Sequence, residues 1–97
     1  MKLLVGQNLY SVEIDTKSTV RGCDGETYKN KSEILIAPNL SKDMYRYVLF
    51  HEILHAVCEH VGIQDKEKLD EETWISRVSP TLLDVLSTNT ELLTTIL

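Results

Sequence analysis

The sequence predicts a single small α+β domain: an antiparallel or mixed sheet of about three strands on one central helix, followed by one or two C-terminal helices. Three observations carry this. Residues 9–15, LYSVEID, alternate apolar and polar with period two, as a half-buried strand does. Residues 32–38, SEILIAP, form a further apolar run closed by Pro38, which cannot donate to a strand ladder. From Lys42 to Val61 there is neither Pro nor Gly, and Gly62 then supplies a helix stop.

Taken in order, the elements divide residues 1–97 into a sheet-and-loop region (1–38), a central helix (41–62) and C-terminal helices (70–97). Gly6-Gln7-Asn8 can turn a short strand over residues 2–5 into the strand over 9–15. RGCDGETYKNK, rich in Gly, Asp and Asn, reads as a loop with room for a short hairpin. Ser41 is an N-cap, with Asp43 at the positive end of the helix. Apolar residues lie nearly all round that helix, from Met44 and Tyr47 to Val57 and Val61, which predicts central burial. QDKEKLDEE is a charged connection. The next helix begins near Asp70 and runs through Trp74, Ile75, Val78, Leu82 and Val85, with a kink or restart expected at Pro80. Asn89 or Thr90 caps a short last helix.

Composition excludes several classes. The chain has 97 residues, 42% hydrophobic and 26% charged, with a formal charge of −5 and no basic stripe. Nucleic acid is therefore not an expected partner, because phosphate binding needs clustered Lys and Arg. No apolar run approaches the roughly 20 residues of a membrane span. The first residues, MKLLVG, are too short an apolar stretch for an export signal. Cys23 and Cys58 are then expected as reduced thiols in a cytosol, with Cys58 a small buried hydrophobe.

The chemistry concentrates in HEILH, residues 51–55. Residues four apart on a helix share a face, about 5–6 Å between Cβ atoms, so His51 and His55 can put two imidazole nitrogens on one ion. Zinc takes such ligands at about 2.0–2.1 Å, and a catalytic site keeps one position for water. Glu52 projects about 100° further round the helix, beside the ion rather than on it. There it can act as general base toward zinc-activated water, the mechanism attached to H-E-x-x-H. The bland alternative is two half-exposed histidines, hydrogen-bonded and without metal. In an apolar helix, however, three buried polar side chains without partners would be costly.

A third protein ligand is expected. His60 is nine residues from His51, on the opposite helix face, and reads as a surface residue at a helix end. Cys58 shares the stripe of the two histidines but would stretch across the site. Asp70, Glu71 and Glu72, at the start of the next helix, remain as candidates; acidic residues there also answer the helix dipole.

EILIAPNLSKDMYRYVLFHEILHAVCEHVG and EETWISRVSPTLLDVLSTNTELL together resemble the ImmA/IrrE-type metallopeptidases and related short phage and prophage proteins. The resemblance spans roughly residues 31–96. It implies a small zincin-like fold, with Zn²⁺ held by His51, His55 and Glu72, and Glu71 the alternative third ligand. Ser76 departs from the family, which often has Asn or an acid there. The resemblance also implies a peptide lying along Glu33, Ile34, Leu35 and Ile36 as an added strand. A tyrosine that polarises the scissile carbonyl would be Tyr28, Tyr45 or Tyr47. The implied function is a zinc metallopeptidase acting on a protein, such as a regulator of a mobile element, in the cytoplasm. The alternative is a zincin-fold protein-binding module of a phage or mobile element whose metal is structural. A cysteine hydrolase using Cys58 with His55 is a poor third reading, since a mid-helix thiol lacks an activated, exposed setting.

Overall fold

Strand β1 (Lys2–Val5) turns back into β2 (Asn8–Ile14) through Gly6-Gln7 in the computed structural model, which describes residues 1–17, 23–63 and 71–96. Gly6 has φ +60°, the left-handed conformation a two-residue hairpin turn requires of its first residue. Next come β3 (Gly25–Tyr28), a single 3-10 turn (Lys29–Lys31) and β4 (Glu33–Ile36). β4 inserts between β2 and β3, parallel to the first and antiparallel to the second, so the order is β1-β2-β4-β3. The sheet is mixed, as expected, but has four strands. The additional one, GETY, falls in the stretch read as a loop with a short hairpin, where Gly and Glu mask a strand.

This topology corrects one expectation. Glu33, Ile34, Leu35 and Ile36 cannot receive an added peptide strand, because β4 is paired along both sides and its backbone groups are already used. Among the described residues, the outer strands of the sheet are β1 and β3.

Alternation places Leu3, Val5, Tyr10, Val12, Ile34 and Ile36 on one face of the sheet, all buried. α1 (Lys42–His60) lies against them through Val48, Leu49, Ile53, Ala56 and Val57. The Ser41 hydroxyl accepts from the Met44 N–H at 3.2 Å, the predicted cap, worth about 1 kcal/mol. α1 is not buried all round. Met44 and Tyr47 are 41% and 64% exposed, so its outer face is open where the sequence pattern implied cover. The helix carries apolar residues on more faces than the sheet and the following helices can reach.

α2 (Glu71–Thr88) continues as one helix through Pro80, without the restart given as one of two expectations. Pro80 is exposed, and the stripe of Val78, half-buried Leu82 and Val85 continues past it to hold the helix against α1 and β1. α3 (Thr90–Ile96) packs on α1 and α2. Asn89, directly before it, clasps the edge of the sheet. Its Oδ1 accepts from the Leu4 N–H at 2.8 Å, and its Nδ2 donates to the carbonyls of Leu4 (3.0 Å) and Val85 (2.7 Å). That covers part of one open strand edge. The other edge, β3, lies along α1 at the opposite side of the sheet. Among the described residues, no helix is long and apolar enough to cross a membrane.

Candidate metal centre

Helical spacing and the edge strand together build the site. His51 and His55 lie one turn apart on the open face of α1, His51 exposed and His55 half-buried. Their rings meet edge to face, with centroids 4.9 Å apart, and the two Nε2 atoms are 3.2 Å apart. That distance suits a hydrogen bond from a protonated to a bare nitrogen. It also suits two ligands on one tetrahedral ion, since nitrogens each about 2.0–2.1 Å from the ion stand roughly 3.3–3.4 Å from each other.

Glu52 belongs to the buried stripe of α1, with Val48, Ile53 and Ala56, and is only 5% exposed. The Thr27 hydroxyl donates to its Oε1 at 2.7 Å and lies 3.1 Å from its backbone carbonyl. A Cβ on Gly25 would lie 2.7 Å from Val48 Cγ1, 3.1 Å from Glu52 Cγ and 3.3 Å from Glu52 Oε2. Gly25 is therefore what lets β3 run this close to α1. Gly25 and Thr27 stand two apart on one strand face, so both bracket the same carboxylate.

One ligand atom from each of His51, Glu52 and His55 falls within 4.8 Å of the other two. The three line a cleft of about 430 Å³ with Cys23, Gly25, Glu26, Thr27 and Lys29. Lys29 reaches back to Glu59 of α1 at 3.5 Å and so ties the far end of β3 to the helix. A side pocket of about 200 Å³ continues past Tyr47, Val48 and Asp24. The nitrogen pair, the adjacent carboxylate and the solvent-open mouth fit a divalent cation with room for a further ligand.

The other predicted residues fall into place unevenly. Glu72 is exposed and lies outside the His51–Glu52–His55 group. It sits six residues before Val78, the first described side chain of α2 to be buried, on a helix docked to α1 and β1. The side chain of Glu71 and all of Asp70 lie outside the described residues. Of the three tyrosines, Tyr47 borders the site, its ring centroid 6.2 Å from that of His51. Tyr45 packs against the core. Tyr28 lines a separate hollow with Lys29 and Lys31. Cys58 also packs against the core, half-buried, as a small hydrophobe would. His60 is exposed at the helix end, as expected, and its ring lies over Gly6, where a Cβ would collide with it.

The cost argument made from the sequence applies to Glu52 alone. His51 is solvated, and Glu52, the one buried member of the three, has its partner in Thr27. Thr27, Gly25 and Cys23 were not singled out from the sequence as site residues. Their only signal was the period-two placement of Gly25 and Thr27. The Cys23 thiol lies 3.8 Å from Glu26 Oε2, and desolvation, then the Glu26 carboxylate, hold its pKa above the ordinary value. Comparison with known proteins finds no matching family, no matching curated protein and no matching solved structure.

Proposed function

We propose that the chain is a zinc-dependent metallopeptidase of the small HExxH kind, similar to the ImmA/IrrE-type enzymes, acting on a protein substrate in a bacterial or host cytosol. The reading rests on one observation: two Nε2 atoms 3.2 Å apart beside a buried carboxylate, in a cleft along an open strand edge. When bound, a divalent ion supplies Lewis acidity to a carbonyl oxygen and to water. His51 and His55, whose Nε2 atoms are 3.2 Å apart, would hold it. Glu52 takes a proton from the attacking water and delivers it to the departing amine, so the peptide and one water become an acid and an amine. β3, an outer strand of the sheet among the described residues, offers its edge to an extended peptide. Tyr47 walls the side pocket next to His51.

The first experiment is the metal content of the purified protein by elemental mass spectrometry, with His51→Ala and Glu52→Gln beside it. About one zinc per chain, lost in His51→Ala and kept in Glu52→Gln, supports the site. Peptide hydrolysis lost in Glu52→Gln supports the mechanism, and hydrolysis retained there overturns it. A parent that holds no zinc after loading and dialysis overturns the metal reading.

A second reading, a protein-binding module with a structural metal, draws on the position of Glu72 outside the group. It predicts zinc without hydrolysis, and partner binding that is indifferent to Glu52→Gln.

A further inference from the structure

We propose that Thr27 is a positioning residue for Glu52: its hydroxyl holds the carboxylate beside the two histidines and keeps it from becoming a ligand. The inference rests on the proposed metal site and deepens it. Any carboxylate next to a pair of metal-binding imidazoles faces two fates. It can stay beside the ion as a base, or it can swing in and bind at about 2.0–2.2 Å. The Glu52 carboxylate is near enough for either, within 4.8 Å of both imidazoles. What selects between them must be a contact that the swing would break.

Thr27 supplies that contact. Its one hydroxyl proton has two acceptors, Glu52 Oε1 at 2.7 Å and the Glu52 carbonyl at 3.1 Å. The shorter, charged acceptor takes the stronger bond. Thr is branched at Cβ, and strand pairing of Thr27 with Ile34 fixes the backbone beneath it, so the hydroxyl is aimed rather than mobile. Gly25 closes the other side, next to Oε2. Glu52 is thus bracketed by alternate residues of one strand that belongs to neither the histidine helix nor α2. Among the described residues, no buried side-chain N or O lacks a partner, and the Thr27 hydroxyl is a partner of the buried Glu52 carboxylate.

The test uses Thr27→Val, which keeps the branched shape without the hydroxyl, and Thr27→Ser, which keeps the hydroxyl. In metal-free protein, a double-mutant cycle of Thr27→Val with Glu52→Ala is followed by urea unfolding. The unfolding constants are expected to be non-additive by roughly tenfold or more. In cobalt-substituted protein, the visible bands of Thr27→Val are expected to change as the carboxylate enters the coordination sphere, while Thr27→Ser matches the parent. With a peptide substrate, kcat is expected to fall about ten- to hundredfold in Thr27→Val at little-changed KM, and to recover in Thr27→Ser. Additive unfolding constants overturn the proposal, as does a Thr27→Val cobalt spectrum identical to that of the parent. A parent that hydrolyses nothing overturns the peptidase reading instead, and the cycle and the spectrum still decide the role of Thr27.

Discussion

Replacing Gly25 by Ala probes the close approach of β3 to α1. The added Cβ would sit 2.7 Å from Val48 Cγ1, against an ordinary carbon–carbon separation of about 3.5–4.0 Å, so something must move by roughly 0.8–1.3 Å. Val48 is the wrong residue to ask. It is 5% exposed, and a helical valine has one strongly preferred rotamer. The strand has to lift from the helix instead, and overpacking of this kind costs about 1–3 kcal/mol. For a domain of this size that is a fall in Tm of roughly 4–24 °C. Gly62→Ala is the control. Gly62 has φ +80° and nothing among the described residues within 4 Å of the new Cβ, so left-handed strain of about 1–2 kcal/mol is the expected cost, with no effect at the site. Urea unfolding gives both values if the slope m is unchanged. Gly25→Ala should also disturb Glu52, whose Cγ and Oε2 lie 3.1 and 3.3 Å from the same Cβ, while zinc content stays at the parent level. A Gly25→Ala protein within 0.5 kcal/mol of the parent would refute the close strand–helix fit and the bracketing of Glu52 with it.

Other consequences are as direct. Pro80→Ala should stabilise the domain by about 1–3 kcal/mol, because an exposed mid-helix proline is replaced by the best helix former, less the stiffness proline gives the unfolded chain; thermal unfolding reads it, and a loss of stability would show that α2 needs the ring. Asn89→Ala removes three side-chain hydrogen bonds to Leu4 and Val85 and should cost about 1–2 kcal/mol, with faster amide exchange at Leu4 as the local signature. Glu72→Ala should leave zinc content and unfolding midpoint close to those of the parent, since Glu72 is exposed and outside the group; reduced zinc would instead place the third ligand on α2, as the family resemblance implied.

The legible part of the fold was the part whose signals are local. The period of LYSVEID, the Ser41 cap and the uninterrupted run up to Gly62 each depend on a few neighbouring residues, and each element formed at nearly the expected bounds. Pairing is not local. Nothing in SEILIAP says that Thr27, from the preceding stretch expected as a loop, will lie beside Ile34 and put β4 in the interior of the sheet. Nor does local pattern say how far cover extends round a helix, which is why Met44 and Tyr47 emerged exposed. Pro80 is the converse: a strong local breaker is overridden where Val78 and Val85 bury on both sides of it.

The candidate site divides along the same line. His51 and His55 are legible because helix geometry alone brings them together. The setting of Glu52 is not, because its partner arrives from a strand 25 residues earlier in the chain. A third ligand on α2 asks still more. It requires one helix to be docked relative to another through tertiary packing, and that packing sets α2 against both α1 and β1 with Glu72 exposed and outside the His51–Glu52–His55 group. The HExxH helix fixes two nitrogens by itself, whereas the disposition of the carboxylate beside them depends on the edge strand. The contacts that hold that carboxylate in place therefore come from β3, from Gly25 and Thr27, and not from the motif that makes the helix recognisable.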